Sequence, residues 1–254
     1  MIQPQPDLRM PAMNAKGVVA LVIVASLMTG CGGGGGGGGI ALPTTSIPVQ
    51  MAIKDLYTVG YQKSGTVTGT ATDASNNSYP VSGTFTTSAS PNGSTQFNNQ
   101  TANELTVTLS ETLQFNGQSS NASQNAQSFL SADYTRPLGS FSPGQYCVVT
   151  TTNPYPVTLS LGQSGNLATS SCYTDATMKT AIGTNQTSYL VIPGISANTL
   201  ILGIINSTKD TSGNFIGQST ANYTVDTSGN MAFFSGSGAI VSNGYVLNLA
   251  QATQ

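Results

Sequence analysis

Over much of the chain, apolar and polar residues alternate one by one. In Gly65–Thr72, Thr66, Thr68, Thr70 and Thr72 share one parity and Gly65, Val67, Gly69 and Ala71 the other. Across Leu105–Phe115, Leu105, Val107, Leu109, Leu113 and Phe115 fall on one face, with Thr106, Thr108, Ser110, Thr112 and Gln114 opposite. Val157–Leu161 alternates in the same way. Strict alternation marks a strand with one dry and one wet face, the habit of antiparallel sheets. Two runs, Tyr189–Ile192 and Leu200–Ile205, are apolar throughout. They are expected to be central strands covered on both faces.

Turn signals bound these runs. Asp210–Asn214 and Asp226–Asn230 are the same pentapeptide, DTSGN, sixteen residues apart, and Asp73–Asn77 is a looser third copy. Asp first and Gly or Asn later, between extended runs, is hairpin chemistry, and the spacing is that of one strand plus its turn. The C-terminal third therefore reads as a meander. Each copy holds a single carboxylate, too few for a calcium loop. Asp175–Ile182, with Asp at its start and Gly183 after its end, predicts one short helix. Ser119–Ser131, rich in Asn, Gln and Ser, reads as a loop or a short surface helix, and Arg136–Gly144 as a boundary between two β units or one long loop. The expected fold class is all-β: an antiparallel β-sandwich or barrel-like meander with few short helices, the sandwich preferred.

Composition sharpens this. Of 254 residues only 6% are charged, none is His, and Ser 30, Thr 34, Asn 20 and Gln 16 supply the polarity. Thr is β-branched, so a Thr-rich wet face suits a strand without using charge. Seven Lys and Arg in the whole chain cannot form the basic face that nucleic acid requires. Without His there is no Ser-His-Asp triad, no His general base and no His-ligated zinc. No Gly-rich phosphate loop follows a strand, and no nucleophile elbow occurs. No cofactor and no metal site is expected.

The beginning of the chain reads as an address. Gly17–Met28 is an apolar run of twelve residues, shorter than the about 20 that span a bilayer. Lys16 precedes it, and Thr29 and Gly30 follow, the pattern of a secretory signal peptide. Met13 places Met-Asn-Ala-Lys directly before the apolar run and is expected to be the true start, rather than Met1. Leu27-Met28-Thr29-Gly30-Cys31 resembles the lipobox of bacterial lipoproteins, with Met28 standing where Leu is usual. That resemblance implies cleavage before Cys31, acylation of Cys31 (palmitate among the acyl chains), and anchoring in the bacterial cell envelope, the outer membrane in particular. Eight glycines, Gly32–Gly39, follow at once. Residues 1–30 are thus expected to be signal peptide and 31–45 a tether, spanning roughly 20 Å as Gly-rich coil. Residues 46–254 form the all-β region, in one or two units with a boundary near 136–144.

Cys147 and Cys172 are the cysteines that remain. In an oxidising compartment an even pair reads as a disulfide. One carboxylate breaks the alternation: Glu111 falls on the apolar parity of its strand, between Leu109 and Leu113. On a regular strand it points into the core with a raised pKa, and it is the one candidate for acid catalysis. A glycosidase would need a second carboxylate about 5–10 Å away, and Glu104, Asp133 and Asp175 are open choices. A β-bulge at Ser110–Glu111 would instead turn it to solvent, and that is the preferred reading. Tyr57, Tyr61, Tyr134 and Tyr155, near turns, could stack on sugars or line the rim of a sheet.

The chain accordingly reads as a lipid-anchored, non-enzymatic binding or structural module of the cell envelope. It would meet a surface polymer or a protein partner, and the membrane through its lipid. Two alternatives are a β-barrel carrying a small apolar ligand, marked by an internal cavity, and a carboxylate-dependent hydrolase using Glu111.

Overall fold

The computed structural model describes residues 46–115, 118–196, 198–242 and 245–253. The expected signal peptide, Cys31, the choice between Met1 and Met13, and the whole of the expected tether lie outside them. The described chain is one helix, α1 (Val49–Thr58), followed by twelve strands. These are β1 (Tyr61–Thr72), β2 (Ser78–Phe97), β3 (Gln100–Phe115), β4 (Gln118–Ser131), β5 (Pro137–Ser142), β6 (Gln145–Thr152), β7 (Ser164–Tyr173), β8 (Ala181–Pro193), β9 (Thr199–Lys209), β10 (Phe215–Asp226), β11 (Met231–Ser242) and β12 (Tyr245–Thr253). Each strand pairs antiparallel with the next, and β1 pairs with β12, so the meander closes into a barrel. The fold is all-β as expected, but the single sheet curls onto itself instead of splitting into the preferred sandwich. Closure gives every strand a neighbour on both sides, so no edge strand is left for a second sheet to cover.

The alternation read in β1 and β3 sets inside from outside. Val67, Ala71, Leu105 and Leu109 are buried in the interior, while Thr66, Thr68, Ser110 and Thr112 are exposed. Register aligns Thr66, Thr84, Thr112 and Asn121 across four strands of the outer wall. Along this row the inside is apolar and the outside hydroxyl-rich, the inverse of the apolar outer band of a membrane barrel.

Several expectations are corrected. Ser119–Ser131 is neither loop nor helix but lies within β4, where Ser and Asn alternate with Ala122 and Ala126. Residues 136–144 contain β5 and the turn into β6, inside the same barrel. Asp175–Ile182 forms no helix: the Asp175 carboxylate accepts the Thr177 N–H in a tight turn, and β8 begins at Ala181. Val157–Leu161 lies in the β6–β7 connection, where only Leu159 forms a bridge, to Ile47. The two wholly apolar runs are neighbouring staves of a one-layer wall. Val191 and Leu202 point inward and are buried; on the outward parity Ile192 is 37% exposed but Ile201 opposite it is buried, so cover on both faces holds at Leu200–Leu202 and fails at Ile192.

The three Asp turns are built alike. In each, one carboxylate oxygen accepts two backbone N–H groups and the other accepts the side-chain amide of Asn77, Asn214 or Asn230. Gly213 and Gly229 take positive φ (84° and 87°), and Asn76 does so at the matching place in the third copy. All three carboxyls are held below the usual range, chiefly by those Asn side chains.

Helix α1 closes one end of the barrel. Val49, Ala52, Ile53, Leu56 and Tyr57 recur at three- and four-residue spacing and are all buried, which makes one apolar stripe. The stripe packs on Leu105, Leu130, Leu200 and Val225. Ile47 exchanges backbone hydrogen bonds with Leu159 (2.8 and 2.9 Å), and Gln50 Nε2 donates to the Tyr155 carbonyl. Gly60, at φ 74°, turns the chain from helix into β1, where a Cβ would stand 2.1 Å from the Ala89 carbonyl oxygen.

Candidate functional site

The interior is filled unequally. On the side of β1, β2 and β12, Val67, Val81, Phe85, Phe233 and Leu249 pack into a cluster. The other side holds a cavity of about 170 Å³. At its α1 end it is lined by Ile53 and Leu56 of α1, Leu105 of β3 and Met231 of β11, and further along by Val107 and Leu109 of β3 and Ile204 of β9. Its polar lining is uncharged: Gln124 and Ser128 of β4, Ser140 of β5, Ser170 of β7, Asn185 and Thr187 of β8, and Asn206 of β9. All sit on the inward parity, placed there by register: Thr187 opposes Asn206, and Ser170 opposes Asn185.

The opening follows from strand length. β5 meets β4 only across Gln127–Leu130, while β4 runs on from 118 to 126 beyond those pairs. The wall is therefore low at β5 and β6 and tall at β3 and β4. The outward-facing Asn125 and Gln127, with Pro137 and Ser140 of β5, also border the cavity, so it reaches solvent at this step.

The polar walls are partly committed. Thr187 Oγ1 donates to Asn206 Oδ1 at 2.7 Å, and Asn185 Nδ2 reaches the same oxygen at 3.5 Å. Tyr57 donates its hydroxyl to Ser128 Oγ at 2.6 Å. Burial pushes the phenols of Tyr57, Tyr155 and Tyr223 up, so all three stay neutral donors. Of the tyrosines named from sequence, Tyr57 and Tyr155 line the cavity and Tyr61 packs on Tyr223 and Phe233. Tyr134 meets Tyr57 edge to face. These rings belong chiefly to the core.

Glu111 corrects the bulge expectation. The β3 register is unbroken on both sides of it, opposite Phe85 and Ala122. Its side chain points inward, 9% exposed, and accepts a hydrogen bond from Gln251 Nε2 at 2.6 Å. Burial raises its pKa, and the Gln251 bond opposes that in part. It does not line the cavity. The three carboxylates considered as its partners lie elsewhere. Glu104 faces outward and accepts from Asn92 and Gln127. Asp133 sits in the β4–β5 loop bound to Ser131 and Thr135, and Asp175 in the β7–β8 turn. No second carboxylate faces Glu111 among the described residues, and no group of three or more Cys, Asp or Glu could hold a metal there.

Cys147 and Cys172 are bonded, directly opposite each other on β6 and β7 with Cα atoms 4.0 Å apart. Both are buried. An internal cavity was the mark of one alternative reading, but the sequence named none of the residues of its polar lining. The signal for the cavity's α1 end was present in the spacing of Val49, Ala52, Ile53, Leu56 and Tyr57. Its polar walls come from five strands far apart in sequence and carry no local signal. Compared with protein-family models, with curated proteins and with solved structures, the chain matches none.

Proposed function

We propose that this chain is a non-enzymatic binding protein of the bacterial cell envelope, anchored through Cys31, whose barrel holds a small molecule. One observation carries the binding part: the cavity of about 170 Å³ within a barrel closed at one end by α1 and open at the β4–β5 step. Close-packed interiors leave few voids larger than a water molecule. A concave, largely apolar site with a few convergent polar groups is the usual form of a ligand site. The lipobox-like Leu27–Cys31 and the glycine tract support the anchored setting. The absence of His from the sequence and the lone position of Glu111 support a role without catalysis.

Thermal unfolding with and without toluene, in wild type and in Ala126→Phe, tests the binding part. Ala126 lines the cavity, and a phenyl ring there fills it. At ten times Kd, toluene should stabilise wild type by about 1.4 kcal/mol, a rise of roughly 3–6 °C in Tm for a domain of this size. The variant should fold, by its circular dichroism, and show no rise. No rise in wild type, or equal rises in both, would overturn the proposal.

A further inference from the structure

We infer that the cavity selects a small neutral molecule with an apolar body and a hydrogen-bond acceptor at one end: an alcohol, ketone, ester or amide about the size of a monosubstituted benzene. The inference rests on the proposed binding role and adds the ligand's chemical class.

Size comes from volume. A cavity of about 150 Å³ lined by aliphatic and aromatic side chains takes benzene, and this one is about 170 Å³. The charge of the ligand follows from the lining. Among the described residues no Asp, Glu, Lys or Arg borders the cavity, and an ion brought into such a place without a partner loses its hydration with nothing in return. Orientation follows from the two ends. Leu56, Leu105 and Met231 at the α1 end offer no hydrogen bond, and Ser128 beside them is already engaged by Tyr57; Thr187 and Asn206 lie farther along β8 and β9 than Val191 and Leu200, which pack with α1.

The acceptor requirement comes from Asn206. Its Oδ1 already receives the Thr187 hydroxyl at 2.7 Å and the Asn185 amide at 3.5 Å. The amide nitrogen, Asn206 Nδ2, is left as a donor toward the cavity. Ser128 Oγ is also an acceptor already, of the Tyr57 hydroxyl, and keeps its own hydrogen to give. In the open cavity water can meet these donors, and a ligand that displaces that water without returning its hydrogen bond leaves them unpaired, so a ligand that supplies an acceptor is preferred over a hydrocarbon of the same shape.

The test is calorimetric titration of the full mature chain with five ligands of one shape: toluene, benzyl alcohol, benzamide, benzoate and benzylammonium. Wild type should bind benzyl alcohol and benzamide at least about fivefold more tightly than toluene, the yield of one ordinary hydrogen bond. Benzoate and benzylammonium should bind weakest. Asn206→Leu, similar in shape, should lose the preference for benzamide over toluene while still binding toluene; Thr187→Val, which frees Asn206 Oδ1, should weaken the preference and serves if the first variant fails to fold. Benzoate or benzylammonium binding as tightly as benzamide would overturn the inference, as would a benzamide-to-toluene ratio unchanged in both variants. Binding of toluene without any polar preference would overturn the ligand class alone. Failure of all five, toluene included, would overturn the binding role with it.

Discussion

Leu56→Ala probes the helix and the cavity together. Leu56 is 6% exposed, on the buried stripe of α1, and forms part of the cavity base. Truncating a buried Leu costs about 2.7–5 kcal/mol, rising with the void that remains. Here one side of the residue already faces empty space, so fewer contacts are lost and the cost belongs at the low end, about 3 kcal/mol. The helix itself should stay in place, because Val49 and Ala52 are fully buried and Ile53 nearly so. For a domain of this size, 3 kcal/mol corresponds to a fall of roughly 6–12 °C in Tm. The deleted atoms add to the existing cavity, so toluene should stabilise the variant more than it stabilises wild type. Urea and thermal unfolding followed by circular dichroism, each with and without toluene, measure both quantities. A loss below about 1 kcal/mol would show that α1 does not pack into the barrel, and a smaller toluene effect in the variant would show that Leu56 does not border the ligand's space.

Two further perturbations test the frame. The Cys147–Cys172 bridge closes a loop of 25 residues, and the chain-entropy relation gives about 3.5 kcal/mol for that length; Cys147→Ala with Cys172→Ala should lower stability by about that amount in urea titration, and a loss under about 1 kcal/mol would refute the loop-closure account. Glu111 is held by burial above its ordinary pKa, so the folded state retains a proton that the unfolded state releases as pH rises past about 4.5. Stability is then lost as pH climbs from there through the raised folded value, and the full penalty stands above it. Glu111→Gln, which can still accept from Gln251, should be more stable than wild type at pH 7 and about equal to it at pH 4; a variant no more stable at pH 7 would show that the buried carboxyl carries no ionisation penalty.

The sequence by itself determined the material of the walls. Alternation in Gly65–Thr72 and Leu105–Phe115 gave the inward and outward faces correctly, because a strand's side chains change sides at every residue whatever the strand pairs with. The DTSGN turns were legible for the same local reason: one Asp side chain satisfies the amides of its own loop. The parity of Glu111 was right where the bulge set against it was wrong. The Cys147–Cys172 pair was readable from number alone. Only the tertiary structure decided the rest. Ser119–Ser131 carries little strand propensity and becomes β4 because β3 offers it a complete row of backbone partners. Val157–Leu161 alternates yet forms no strand, because its neighbours are α1 and the barrel mouth rather than another stave. Tyr189–Ile192 looks doubly buried, but its outward Ile192 is exposed, whereas Leu200–Leu202 is buried on both parities as its run of apolar residues suggests. The cavity exists because α1 fills one end, β5 stops short, and closure brings the inward faces of β3 and β4 round to those of β7, β8 and β9. Closure is set by twist and by the pairing of β1 with β12, the two ends of the barrel sequence. That contact is long-range, and no local pattern encodes it.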